Sequence, residues 1–117
     1  MHEVALAEAV WRQVATEMAS RPGRRLLAIG LVVGRWSGAD PESLQFALHL
    51  VARESPWPEA AIQIRSQPLV LKCRACGRQF EPEELRLACP GCGAFDAETL
   101  AGRDVLLESL ELDDPSP

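Results

Sequence analysis

Apolar residues first recur at helical spacing: between Glu3 and Ser20, the side chains Ala7, Val10, Trp11, Val14 and Met18 form one stripe. Glu3 and Glu8 lie near the start, where negative charge complements the helix dipole, and Arg21-Pro22-Gly23 ends the element. The period then shortens to two. Across Arg24 to Trp36, Leu27, Ile29, Leu31 and Val33 alternate on one face of a predicted strand, with Gly30 allowing a bulge or close packing. Ser37-Gly38-Ala39 reads as a turn, and Asp40 before Pro41 as an N-cap with proline at the first helical position. The second helix runs to about Arg53 and buries Leu44, Ala47, Leu48 and Val51. After the loop Ser55-Pro56-Trp57-Pro58 comes a strand from Ala61 to Gln67, with Ile62 and Ile64 inward. The last strand, Asp104 to Leu112, alternates imperfectly, because Glu108 shares a side with Leu106 and Leu110.

This order predicts an α+β fold: two helices on a three-stranded antiparallel-type sheet, with a metal-stapled ribbon inserted before the final strand returns. Residues 1–68 together with 99–112 form the α/β domain, residues 69–98 the ribbon, and 113–117 a disordered acidic tail. At 117 residues and 47% hydrophobic content, a modest single core is expected. The net charge of −5 argues against nucleic acid as partner. The ribbon is no exception, since Lys72, Arg74, Arg78 and Arg86 are offset by Glu81, Glu83 and Glu84.

The ribbon is read from the only cysteines, set in two matched knuckles: Cys73-Arg74-Ala75-Cys76-Gly77 and Cys89-Pro90-Gly91-Cys92-Gly93. A two-residue gap aims both sulfurs inward, and the glycine after each second cysteine supplies the positive φ that closes the turn. Four soft thiolates in a closed tetrahedron suit structural zinc, with iron the lesser candidate. No position is left for a catalytic water. Paired disulfides would need an oxidising compartment, yet Met1-His2-Glu3 opens no export signal and no run approaches membrane-spanning length. A cytoplasmic protein is expected. Two facing pairs without a βαβ pattern do not read as a redox motif either.

The first three residues carry the other chemistry. His2 is too bulky for removal of Met1, so a free α-amine is expected one residue before an imidazole. That amine, the following amide nitrogens and the imidazole can close fused rings around one ion. Such a planar nitrogen field suits Ni(II) or Cu(II) and offers little to Zn(II), Mg(II) or Ca(II). Read without context, the same His2 is an exposed terminal residue and nothing more.

Taken together, a Met-His-Glu opening into an amphipathic helix and a CxxCG-x11-CPxCG ribbon resemble the HypA/HybF family, nickel-incorporation accessory proteins of [NiFe]-hydrogenase maturation. The closing stretch is similar too, with Cys-Gly-Ala-Phe followed by Gly102-Arg103-Asp104 and Leu110-Glu111-Leu112. The resemblance implies a nickel metallochaperone, not an enzyme. It implies Ni(II) held by the amine, amides and imidazole of Met1, His2 and Glu3, and Zn(II) held by Cys73, Cys76, Cys89 and Cys92. It further implies a maturation GTPase that also handles nickel as one partner and the [NiFe]-hydrogenase large subunit as recipient, with no nucleic acid or membrane involved. Whether Glu3 lends its carboxylate or only its amide is open. Departures are few: alanine stands within Val4-Ala5-Leu6 where a small polar residue is expected, and the acidic tail is unexplained.

No phosphate-binding loop, Ser/His/Asp set or acid/base carboxylate pair is visible. His49 lies with Gln45 and Arg53, away from the apolar stripe of its helix, and reads as a solvated residue, with a secondary nickel or pH-sensing contact the other reading. Trp11 belongs to a core stripe, while Trp36 and Trp57, at element ends, read as ordinary terminal aromatics or as an exposed partner surface. The alternative function is a zinc-ribbon adaptor that binds protein, or less readily nucleic acid, with His2 irrelevant.

Overall fold

The computed structural model describes residues 2–83 and 86–113. Helix α1 (His2–Ala19) leads to strand β1 (Leu26–Gly34) and helix α2 (Pro41–Arg53). Strands β2 (Ala61–Gln67), β3 (Val70–Cys73), β4 (Gln79–Phe80), β5 (Ala97–Ala101) and β6 (Val105–Leu112) follow. They form two three-stranded sheets, ordered β2-β1-β6 and β4-β3-β5.

Both helices sit where the apolar pattern places them. The residues α1 buries are Ala7, Val10, Trp11, Val14 and Met18, the stripe read from the sequence. Asp40 caps α2: its carboxylate accepts the Ser43 backbone N–H at 3.0 Å and the Ser43 hydroxyl at 2.8 Å. These bonds, from the Ser43 side chain first and its backbone second, hold the Asp40 carboxyl below its ordinary range. The two helices cover one face of the β2-β1-β6 sheet, where Ile29, Leu31 and Val33 meet Leu44, Leu48 and Val14 in a single core. Burying five or six aliphatic side chains of this size supplies on the order of 10 kcal/mol before entropy is counted.

The α+β class holds, but the first sheet is mixed rather than antiparallel. β1 pairs with β6 antiparallel and with β2 parallel. The reason lies in the connection, because α2 crosses between β1 and β2 and returns the chain to the same end of the sheet. A second correction concerns Leu27. The β1–β6 register shifts between Leu26 and Ala28, so Leu26 turns into the core and Leu27 is 38% exposed. A further shift explains the broken alternation of the last strand. Gly30 stands opposite Ser109 and Leu31 opposite Leu107, leaving Glu108 as the extra residue. Val105 and Leu107 before it, and Leu110 and Leu112 after it, then all pack against the same core. Glu108 points to the other face, where Arg65 grips it with two donors at 2.9 and 2.8 Å. Gly30 lies beneath this arrangement, and a Cβ there would stand 2.4 Å from the Ser109 hydroxyl, which would have to rotate away.

The ribbon sheet ends later than expected. Val70 and Lys72 of β3 pair with Ala101 and Glu98 of β5, so its hydrogen bonding runs to Ala101 rather than to residue 98. The chain then turns at Gly102, whose φ of 101° and contact with Leu69 leave no room for a side chain. Of the expected tail, Asp113 is ordered: its N–H donates to the Arg25 carbonyl at 3.0 Å, and its carboxylate accepts the Arg25 N–H at 2.8 Å. Residues 114–117 lie outside those described.

Candidate metal centres

The knuckles fold as their spacing requires. Gly77 donates its N–H to the Cys73 carbonyl at 2.8 Å, and Gly93 does the same to Cys89 at 2.8 Å. Gly77 and Gly93 have φ of 80° and 78°, in the region a side chain disfavours. All four cysteine sulfurs fall within 4.8 Å of one another. Cys73 and Cys92 stand 3.5 Å apart and Cys76 and Cys89 3.6 Å, well beyond the ~2.05 Å of a disulfide, and all four cysteines are free. Sulfurs bonded to one tetrahedral zinc at ~2.3 Å stand about 3.8 Å apart, so the observed cluster fits a single-ion cage. Cys73 and Cys89 are buried, Cys76 and Cys92 exposed at the knuckle tips.

Their acidity separates along the same line. The Cys76 backbone N–H foremost, then that of Ala75, pulls the Cys73 thiol below its ordinary value. Backbone N–H groups of Cys92 and then Gly91 bring Cys89 down to about 6. The exposed pair moves the other way. Cys76 receives a lowering bond from Arg78 N–H, yet the neighbouring Cys89 sulfur and burial raise it. Cys92 likewise has a lowering bond from Ala94 N–H, but Cys73, burial and Cys89 push it up to about 11. Four thiolates this close cannot coexist without a cation among them. Loading a metal therefore displaces at least the protons of Cys76 and Cys92 at neutral pH, and that of Cys89 as well below about pH 6. Affinity is expected to fall at least about a hundredfold per pH unit near neutrality and more steeply below pH 6. Chelator competition from about pH 5 to pH 8, with proton release read by an indicator, checks this; a flat pH profile contradicts it.

At the other end of the fold, α1 begins at His2, and Met1 lies outside the described residues. The His2 imidazole is exposed, with Nε2 3.3 Å from Glu3 Oε2. The same Glu3 oxygen accepts a long hydrogen bond, 3.5 Å, from the Asp40 backbone N–H at the head of α2. Glu3 thus ties the first turn of α1 to the start of α2. Asp40 could be read from sequence as a cap, but its place beside Glu3 comes only from helix packing. Next to this junction is a groove of about 730 Å³, with Glu3, Asp40 and Glu42 on its acidic side and Val4, Phe46 and Leu50 on its apolar side. The Glu3 carboxylate beside the exposed imidazole, with Asp40 and Glu42 lining the same groove, gives this end of the fold a negative field that attracts a cation.

The remaining candidates separate cleanly. His49 is exposed on the flank of α2 that faces β2: it contacts Gln45 Nε2 at 3.2 Å, and Gln45 donates to the Ile62 carbonyl at 3.1 Å. It does not join the His2–Glu3–Asp40 group. Trp57 is half-buried and stacks on Trp11, with ring centroids 6.3 Å apart and planes inclined by 14°, so it extends the core rather than presenting a surface. Trp11 also donates its indole N–H to the Leu48 carbonyl at 3.0 Å. Trp36 remains exposed at the end of β1.

Comparison with known proteins agrees with this arrangement over nearly the whole chain. A hydrogenase maturation factor HypA from Francisella philomiragia is 33% identical over 110 residues, covering 94% of this chain and 97% of that protein. One from Solidesulfovibrio magneticus is 33% identical over 117 residues, covering 97% and 100%. The solution structure of the Ni metallochaperone HypA from Helicobacter pylori superposes with a TM-score of 0.74 at 20% identity, over 94% of this chain and 96% of that one, and shows the fold alone. The family model described as "Hydrogenase/urease nickel incorporation, metallochaperone, hypA" matches residues 1–112. With its tetracysteine cluster and its α+β scaffold in place, the chain belongs to the HypA family of hydrogenase maturation nickel metallochaperones.

Proposed function

We propose that this protein carries Ni(II) on its N-terminus, with Met1, His2 and Glu3 as the donor residues, and delivers it to apo [NiFe]-hydrogenase. The observation that carries this reading is the grouping of His2 and Glu3 on the first turn of α1. The first N–H groups of a helix have no carbonyl partner within it, so amide nitrogens at this position serve a metal without breaking the helix. Glu3, anchored on Asp40, holds a carboxylate near the imidazole that would otherwise swing freely. An exposed terminal site also suits a carrier, because a recipient replaces the ligands one at a time. The cysteine cage takes Zn(II), as its all-sulfur donor set favours, and serves as scaffold.

The same proposal assigns the partners. A GTPase that also handles nickel, and the hydrogenase large subunit as recipient, accord with membership in a hydrogenase maturation family. Four reduced thiols are stable in the cytoplasm, where this work would take place. The α/β unit on β2-β1-β6 holds the cargo site and the β4-β3-β5 ribbon holds the structural ion. Among the described residues no helix is long and apolar enough to cross a membrane.

Replacing the imidazole separates the two metals. His2→Ala should lower nickel affinity by at least about 100-fold, more than the loss of an outer-shell partner causes, and leave zinc near one ion per chain. Titration calorimetry for nickel and elemental analysis for zinc, on protein with its native N-terminus, read both. Unchanged nickel affinity in His2→Ala would sink the assignment.

A further inference from the structure

The basic residues around the cysteine cage are not all engaged alike. Arg74 is bound to Asp96 at 2.8 Å. Lys72 on β3 stands opposite Glu98 on β5. Arg86 lies in the groove beside Cys89 and Pro90 together with Glu81 and Glu83, which offset its charge. Arg78 differs: among the described residues no carboxylate forms an ion pair with it. It follows the first knuckle directly after Gly77, and its carbonyl accepts the Cys73 N–H at 2.8 Å. Its side chain reaches across to the second knuckle. A Cβ placed on Gly91 would stand 3.3 Å from Arg78 Cδ, 3.4 Å from Arg78 Nη1 and 3.7 Å from Cys89 Sγ. The guanidinium and the sulfur thus flank one point and lie within about 7 Å of each other.

Gly91 has a different task from its neighbours. Gly77 and Gly93 carry the positive φ that closes each turn, whereas Gly91 is not among the positive-φ glycines. The matching position of the first knuckle is Ala75, so the turn itself accepts a side chain there. What the bare Gly91 supplies is room for Arg78 to lie across the second knuckle.

We propose that Arg78 is a positioning residue for the cage: its cation, laid over Gly91, offsets the charge of the zinc tetrathiolate and so retains the ion. This rests on zinc as the occupant of the cysteines. Four thiolates around one Zn(II) leave two negative charges uncompensated. Hydrogen bonds absorb part of that charge, as the Gly91 N–H does at 3.4 Å from Cys89 Sγ. The rest attracts a nearby cation. Because the centre is doubly charged, one guanidinium gains more here than in a surface ion pair. Arg78 is exposed, so water and salt screen it. The net effect on zinc affinity is about fivefold to tenfold, at or below the low end for groups that support metal ligands.

Chelator competition for zinc on the full chain tests this, at low and at high salt, with Arg78→Met, Arg78→Lys, Gly91→Ala and the double variant Gly91→Ala/Arg78→Met. Arg78→Met should weaken zinc binding about fivefold to tenfold at low salt and less than about twofold at high salt. Arg78→Lys, which keeps the charge, should recover most of the loss. Gly91→Ala pushes the arginine aside and should weaken binding on its own, yet add nothing once Arg78 is methionine. Cobalt loaded in place of zinc should show tetrahedral thiolate bands in every variant, because the cage itself is intact. Unchanged zinc affinity in Arg78→Met would overturn the proposal. So would a loss that salt does not narrow and lysine does not rescue, since packing rather than charge would then be the cause. Cysteines that bind no zinc in the unaltered chain would sink the cage assignment first, and the role of Arg78 with it.

Discussion

A single glycine added before Met1 is expected to abolish tight nickel binding while leaving the zinc ribbon untouched. The extension converts the α-amine into an amide and moves the charged terminus one residue away, yet His2, Glu3 and Asp40 all remain. Any site made of side chains alone would survive this change. A site built on the amine and the backbone amides that follow it would not. The expected loss exceeds about 100-fold in affinity, since a direct ligand is removed and not one of its supports. A planar nitrogen field also pairs the electrons of Ni(II), so the native complex should be diamagnetic and any residual complex of the extended protein paramagnetic. Affinity and magnetic moment of native and Gly-extended proteins settle the matter together. Tight binding by the extended protein in a paramagnetic site would shift attention to the carboxylates of Glu3, Asp40 and Glu42 beside the groove.

Cys73→Ser is expected to release zinc and unfold the β4-β3-β5 ribbon while the helix-covered sheet survives. Cys73 is 1% exposed, and its N–H donates to the Arg78 carbonyl at 2.8 Å, so it joins β3 to the first knuckle. The ribbon has little else to hold it. Beyond the cage it buries Leu69 and Leu71, and Phe95 stands 81% exposed. Structural zinc in units this small supplies about 10–16 kcal/mol of folding free energy, far more than two leucines. The main core lies between the helices and β2-β1-β6 and, among the described residues, contains none from the ribbon. Zinc content by native mass spectrometry, with exchange rates in 70–101 against 26–34, should show the two sheets uncoupled. A Cys73→Ser protein that loses zinc and keeps its ribbon amides protected would contradict a structural role.

Much of this was readable in the chain because the signals were local. The α1 stripe, the Asp40–Pro41 cap and the knuckle spacing each follow from residues a few positions apart, whose geometry the backbone fixes on its own. The resemblance carried by Met-His-Glu and the paired knuckles named the family that the full-length match bears out. Nothing local, however, reveals a register. Leu26 and Leu27 are chemically alike, and only the pairing with β6 decides which of them is buried. Glu108 looked like a defect in an alternating strand. It became intelligible once the register against β1 was seen to leave it as the extra residue and Arg65 of β2 to hold it on the outer face. The parallel β1–β2 pair, the stacking of Trp57 on Trp11 and the approach of Asp40 to Glu3 are likewise contacts between elements. The sequence by itself determined the two helices, the three strands of the main sheet, the cysteine cage and the family, but not the ribbon strands β3, β4 and β5. Tertiary packing decided which faces meet and which groups gather at the N-terminus, because those depend on long-range contacts that no spacing along the chain encodes.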